Sequence, residues 1–414
     1  MLIVLNMLLA AFLGGCSQES KAEVSLSGNT THRHVLEWTV DRREDFRYHF
    51  LENVKTFSLY QGTPETGTFS HHPYVAYYKG TLFAQWDSHA RDENASGQHG
   101  VFTWTTDEGK TWSPPRPLFP PLAENRPADA SNASSRFQTS WGFIEVDEVL
   151  YAVTDVAEWK TPDVQKIKPR RLIGVLCRSV KPDGTLGDIF WLEKTAPAPV
   201  PGFPAYPAGD PVLVQKINDF FKHPSHAPQL DFGRGSHPVA DDDHHTGEPV
   251  PAWQLADGTW VRMYRDGGSR FSKTLKEDEA SKARRNYVSF SYDDGKTWTR
   301  PTRTRFPDAC ARTYAGKLPD GQVYVLNNVL PLSTKKGGRA LLAISLSRDG
   351  LNFDRMAVLR FLPPPQRFQG RAKSIGYAYP HSVVIGDSLW VLYSVNKEDI
   401  EIARIPLSEV YQIM

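Results

Sequence analysis

The chain has few cysteines, almost no net charge and no apolar run long enough to cross a bilayer as a helix. Its 414 residues include 3 cysteines, too few for a disulfide framework, and a chain of this length can bury enough apolar surface not to need one. The formal net charge is +1, from 48 Lys and Arg against 47 Asp and Glu. Nucleic acids and anionic membranes usually select a basic surface, so neither is expected as the principal partner, and an anionic ligand must be met by local charge. No heptad or long amphipathic helix is visible. The one short helical pattern runs from Pro211 to Lys222.

What the chain does have is repetition. The octapeptides Thr105–Trp112 (TTDEGKTW) and Ser291–Trp298 (SYDDGKTW) are near copies, and a degenerate third runs from Ser347 to Phe353. In each, the Asp and Gly suit a tight turn and the aromatic can pack under a neighbouring strand. The spelling resembles the Asp-box of the sialidase-like propellers. A second repeat, apolar segment, Gly or Asp turn, apolar segment, recurs around Gly80, Asp147, Gly258, Gly321 and Gly386. These read as hairpins between buried strands. The gap between the second and third turns is nearly double the others and suggests a blade disguised by insertions. The expectation is an all-β propeller of six four-stranded blades, with a seventh available in His34–Tyr60, whose His34–Val40 stretch could instead close the ring against Ile400–Ile405. The 30 Gly and 31 Pro supply the turns.

Met1–Phe12 is apolar and leads into Leu13-Gly14-Gly15-Cys16, then a polar stretch. This resembles a bacterial lipobox with Cys16 as the lipidated residue, which predicts a signal peptide over 1–16, a flexible tether over 17–32, and a propeller over 33–414 with an insertion around 200–248. The expected location is the cell envelope or the exterior, with membrane contact only through the lipid anchor. Cys177 and Cys310 are expected as free thiols.

Chemistry-bearing residues are densest between Ser70 and His99. Ser70-His71-His72-Pro73 enters one hairpin, Gln85-Trp86-Asp87-Ser88-His89 leaves it, and Arg91, Asp92, Glu93 and Gln98 follow. On a propeller, inner strand ends meet at the funnel mouth, so His71 or His72 is expected near His89, with Gln98, Arg91 and Trp86 as candidate substrate contacts. The alternative is that the His pair caps a strand beside a solvated loop. Arg265, between an apolar strand and a Gly pair, could hold a carboxylate bidentately or form an inter-blade salt bridge. Arg136, Arg312 and Tyr379 each stand immediately ahead of an expected blade strand. The segment His223–His245 offers His237, His244 and His245 as candidate ligands of a structural divalent ion such as zinc or calcium, although no spacing matches a tight ligand pattern. A polar surface loop is the alternative. No other cofactor is expected, and a monomer is.

The block His71-His72-Pro73 through Trp86-Asp87-Ser88-His89, Glu93 and Gly97-Gln98, followed by an Asp-box, resembles the propeller enzymes that degrade uronic-acid glycans: ulvan lyases and the related rhamnosyl-glucuronate lyases and rhamnosidases. Tyr264–Gly268, Phe306–Asp308, Gly316–Gly321, Gly376–Pro380 and Tyr393–Ile400 fit the same group. The resemblance implies seven blades, an anionic glycan substrate, and a His with His or Tyr acting on a uronate whose carboxylate is met by Arg. On this sequence those are His72 or His71, His89 and Arg265, with Tyr379 as a further candidate. β-Elimination suits such residues: a base removes the C5 proton, feasible only if the adjacent carboxylate is neutralised. Two rivals are a glycoside hydrolase of exo-sialidase or rhamnosidase type, with Asp87, Asp92 and Glu93 as carboxylates, and a non-catalytic glycan-binding propeller.

Overall fold

The computed structural model describes residues 34–42, 47–125, 136–159, 170–226, 238–242, 244–267, 284–330 and 337–413. Cys16, the tether and His237 lie outside them. Five sheets follow one another along the chain as the blades of an all-β propeller. Blade I is Phe69–Tyr78, Thr81–His89, His99–Thr105 and Arg116–Pro117, and blade II is Arg136–Val146, Val149–Trp159, Arg170–Val180 and Phe190–Trp191. Blade III starts from two short strands, Thr246–Pro249 and Trp253–Gln254, both paired with Trp260–Asp266, and continues through Arg285–Ser291 and Thr302–Pro307. Blade IV is Tyr314–Lys317, Val323–Asn327, Leu341–Ser347 and Arg355–Phe361.

Blade V closes the ring. Its three inner strands, Tyr377–Ile385, Ser388–Val395 and Asp399–Pro406, come from the C-terminal end, and its outer strand, Lys55–Tyr60, comes from the N-terminal end. His34–Val40 does not close the ring as anticipated: within it Glu37–Trp38 pairs in parallel with Asn352–Phe353 beside blade IV, and Lys55–Tyr60 takes the closing position.

The blade count is therefore five, not six or seven. Each of the five sequence hairpins is a turn near the start of one blade: four join its first two strands, and in blade III the turn at Gly258 joins the short strand Trp253–Gln254 to Trp260–Asp266. The long gap holds the outer strands of blade II, the helix Pro211–Phe220, the 3-10 turn Pro224–His226 and the first strand of blade III, with no further sheet among the described residues. The helix begins where its sequence says it should: Asp210 caps Val212 and Leu213 N–H groups, each at 3.0 Å, ahead of Pro211 in the first turn. It buries Val214 and Ile217 against blade II.

Apolar clusters fill the wedges between blades, Trp86 and Leu82 against Trp390 and Ile402 between I and V, and Leu326 and Ile344 against Val391 and Ala403 between IV and V. Because central strands are covered on both faces, Thr81–His89 and Ser388–Val395 are buried at every position. Buried polar residues on these strands must then find partners or stand ready for a ligand.

The three Asp-boxes fold alike between the third and fourth strands of blades I, III and IV. Asp107 Oδ1 accepts from the Thr105 hydroxyl (2.7 Å) and the Thr111 N–H (2.9 Å), and Asp293 repeats this with Ser291 and Thr297, both at 2.8 Å. Gly109, Gly295 and Gly350 sit at φ +80°, +79° and +76°, where a Cβ would be strained. Bonds from Thr111 and Thr297 hold the Asp107 and Asp293 carboxyls down at about 2.

Candidate active site

Two first strands carry the same irregularity. In blade I the pairing register breaks between His71 and Tyr74, and in blade V between Ala378 and His381. The residues inside the breaks, His72 and Tyr379, adopt φ +51° and +58°, and each precedes a proline, Pro73 or Pro380. Proline cannot donate to the ladder, so the strand bulges there, and a bulge re-aims side chains. A left-handed non-glycine residue costs of order 1–3 kcal/mol and persists only where its surroundings fix it. The bulges bring three rings together: the Tyr379 ring lies 4.1 Å from His71 and 5.3 Å from His72, and the two imidazoles are 4.6 Å apart.

Around Tyr379 stand three guanidinium groups, Arg312 at 4.8 Å from the ring centroid, Arg339 at 5.2 Å and Arg265 at 5.9 Å. Arg265 donates to the Tyr379 hydroxyl (2.8 Å) and pairs with buried Glu248 (2.8 Å). Burial opposes its charge, but Glu248 outweighs burial and holds the guanidinium well above its ordinary range. Arg312 donates to the Tyr74 hydroxyl (2.6 Å). Arg339 is 5% exposed, donates to the Cys310 carbonyl (3.2 Å) and Ser374 (3.4 Å), and has no carboxylate partner among the described residues. A buried guanidinium without a counter-charge is costly unless an anion completes it.

The tautomer of His71 follows from its neighbours. The Ser394 hydroxyl donates to the Ala378 carbonyl (3.3 Å), so at 2.7 Å His71 Nδ1 is the donor to Ser394 Oγ. His71 Nε2 then carries the lone pair, and it is buried without a partner among the described residues. Burial, followed by the positive charges of Lys397 and His72, pushes the His71 pKa well below its usual value. His71 is thus a neutral imidazole across the physiological range. Beneath the cluster, Tyr74 packs on His381 (5.1 Å), whose pKa burial and Arg312 lower to about 3. Gly142, at φ +92°, leaves room for the Tyr74 ring, which a Cβ there would meet at 2.8 Å.

Of the candidates read from sequence, the fold brings together His71, His72, Tyr379, Arg265 and Arg312. Gln98 stands at one remove, its amide donating to the Gln138 carbonyl (2.5 Å) and approaching Asp87 (3.5 Å). Three bonds of His89 run into its own loop: Nδ1 accepts from the Arg91 and Asp92 N–H groups (3.1 and 3.0 Å) and Nε2 faces the Ser96 carbonyl (3.2 Å). His89→Ala is therefore expected to cost about 1–3 kcal/mol of stability by stranding those amides, seen as a lower urea midpoint, with kcat near the parent value.

Trp86 is buried between blades I and V against Tyr60 (5.6 Å), Arg91 is exposed, and Arg136 pairs with Glu158 (3.4 Å) and the Ala198 carbonyl (3.0 Å). His244 pairs with Asp266 (3.1 Å) and stacks on Tyr287, while His245 bridges to Val239. Cys177 and Cys310 are free. The carboxylates weighed for hydrolysis are engaged: Asp87 with His72 and Ser140, Asp92 with the Arg371 and Ala372 N–H groups, and Glu93 with Lys397 and His72. Sequence reading missed Arg339, Glu248, Lys397 and Tyr74.

Asp308 lies just outside the cluster, fully buried and accepting from the Asp266 N–H (2.6 Å). Burial and the Asp266 carboxylate push its pKa up to about 7. The folded state holds this proton more tightly than the unfolded state, so the contribution is greatest at low pH and is lost as pH rises from about 4 through about 7, at most about 1.4 kcal/mol per unit. Asp308→Asn should flatten that decline; equal pH slopes of the melting temperature in parent and variant would contradict it.

Two family models match the chain: a BNR repeat-like domain over residues 244–391 and an N-terminal beta propeller over residues 59–229. The fold is that of the sialidase-like BNR-repeat β-propellers. Solved structures of similar fold include a sialidase (22% identity, TM-score 0.67, covering 90% of this chain and 35% of that one). Others are the Trypanosoma rangeli sialidase in complex with the inhibitor DANA (11%, 0.51, 87% and 61%) and the leech intramolecular trans-sialidase complexed with 2,7-anhydro-Neu5Ac (11%, 0.52, 86% and 70%). The chain spans about a third of the length of the first of these and under two thirds of the second. No curated protein matches.

Proposed function

We propose that the protein is a carbohydrate-active enzyme that binds a carboxylate-bearing glycan at the Tyr379 cluster and cleaves a uronic-acid linkage by β-elimination. The observation that carries this reading is Arg339, a buried guanidinium with no carboxylate partner among the described residues, beside Arg265 and Arg312 and next to the unpartnered Nε2 of a neutral histidine. The arginines neutralise the uronate carboxylate and so acidify the C5 proton. His71 Nε2 takes that proton, the C4–O4 bond breaks as the C4–C5 double bond forms, and the Tyr379 hydroxyl protonates the departing oxygen. The lipobox reading adds that the enzyme works at the cell envelope.

One observation favours a second reading, glycoside hydrolysis. Three guanidinium groups surround a tyrosine, and sialidases, which the solved structures of similar fold include, use a tyrosine nucleophile. Purified protein incubated with ulvan and with a sialylated oligosaccharide separates the two. Growth of the ultraviolet absorbance of unsaturated uronate supports elimination. New reducing ends without absorbance move the assignment to hydrolysis. Retained oligosaccharide binding without product makes it a binding module.

A further inference from the structure

We infer that His72 is a positioning residue, an imidazolium clamped between Asp87 and Glu93 whose fixed positive charge keeps the neighbouring His71 in its neutral, proton-accepting form. This deepens the elimination reading and rests on it only where His71 is called the base.

The clamp is built from both sides. Asp87 Oδ1 accepts the Ser140 N–H (2.8 Å) and hydroxyl (2.6 Å), which fixes the carboxylate across the blade I–II boundary, and its Oδ2 lies 2.8 Å from His72 Nδ1. On the other side, Glu93 Oε1 lies 3.3 Å from His72 Nε2, and Glu93 is paired with Lys397. A neutral imidazole has one donor and one bare lone pair, and that lone pair would face a carboxylate at whichever nitrogen it occupied. Only the cation suits both partners. Burial at 1% exposure opposes the charge, but the hydrogen bond to Asp87 and the contact with Glu93 outweigh it and raise the His72 pKa.

The left-handed backbone at His72 places this cation 4.6 Å from the His71 ring. The groups facing His71 are His72 on its own strand, Asp87 across the pairing register, Glu93 from the following loop, Lys397 after the second strand of blade V, Arg339 ahead of the third strand of blade IV, and Tyr379. Burial first, then Lys397, His72 and Arg339 disfavour a proton on His71, and Glu93 favours one. Removing the His72 charge takes away one of these and leaves Asp87 and Glu93, the carboxylates it had engaged, to favour a proton on His71, so a residue that does no proton transfer helps set the charge of the one that does.

The test is ring-nitrogen NMR on the purified protein without substrate, from about pH 5 to 8, with His71 and His72 signals assigned by their loss in the respective glutamine variants. The expected result is a doubly protonated His72 and a neutral, Nδ1-protonated His71 throughout. In His72→Gln, His71 should begin to titrate within that range, and the acid limb of the kcat/KM profile on the uronate glycan should move up by about one unit. A neutral His72 in the parent, or a His71 that stays untitrated in His72→Gln, overturns the clamp. Should His72→Gln fail to fold, Glu93→Gln serves: His72 should then titrate within the range, and an unchanged His72 overturns the proposal. NMR behaviour as expected with an unmoved acid limb upholds the clamp and removes His71 as the base.

Discussion

Arg339→Ala is expected to lower kcat/KM on a uronate-containing glycan about a hundred- to a thousandfold, the loss typical when one preorganised charge-stabilising group is removed from a closed site. Its surroundings give the reason. Arg339 reaches Tyr379 with no carboxylate partner among the described residues, so its charge is available to a ligand in a way that the charge of Arg265, shared with Glu248, is not. Truncation strands no buried carboxylate and removes two bonds, to the Cys310 carbonyl and Ser374, so the fold should survive and the circular dichroism spectrum should match the parent. Arg339→Lys should recover only part of the activity, since an ammonium cannot reproduce a planar bidentate contact. Steady-state kinetics on the three proteins checks this, and parent-like kcat/KM in the alanine variant would remove Arg339 from the site.

Tyr379→Phe should have the second large effect, a fall in kcat of about a hundred- to ten-thousandfold with KM little changed. The phenyl ring still packs on His71 and beneath the guanidinium groups, and Arg265 keeps Glu248, so only the hydroxyl is lost. A substrate with a low-pKa leaving group separates the two roles this hydroxyl can play. If Tyr379 protonates the leaving oxygen, such a substrate needs little proton donation and the variant should recover much of its rate. If Tyr379 attacks as a nucleophile, the deficit persists whatever the leaving group.

How far the sequence carries such an account depends on where its signals are local. Asp-boxes and hairpin turns are local, and their bonds recur as expected: the Ser/Thr to Asp to Thr pattern of the first box is repeated in the second. The helix after Asp210 is local too. Blade number is not, because spacing cannot tell a hidden sheet from a helix and long connections, and the segment between blades II and III contains the latter. Ring closure is less legible still, since Lys55–Tyr60 and Asp399–Pro406 find each other from opposite ends of the chain.

The same division holds in the candidate site. His71, His72, Tyr379, Arg265 and Arg312 stand out in the sequence by residue type and by position at strand starts or ends. Their assembly around one tyrosine depends on blade I meeting blade V, as in the bond between His71 and Ser394, 323 positions apart. A usable signal was present in the prolines. Pro73 and Pro380 each follow a polar aromatic inside an otherwise strand-like run, where a proline marks a bulge. Arg339 had no such marker: it follows a Gly pair and enters no motif, and only the fold shows its charge without a carboxylate partner among the described residues.

The central claim is that this cluster recognises a carboxylate. Its most direct test is calorimetric titration of the parent protein with a glucuronate-containing oligosaccharide and with the same oligosaccharide after its carboxyl groups have been reduced to alcohols. The account predicts binding of the acid, weakened by salt and by Arg339→Ala, and little or none of the reduced sugar. Equal affinity for the two sugars would contradict it.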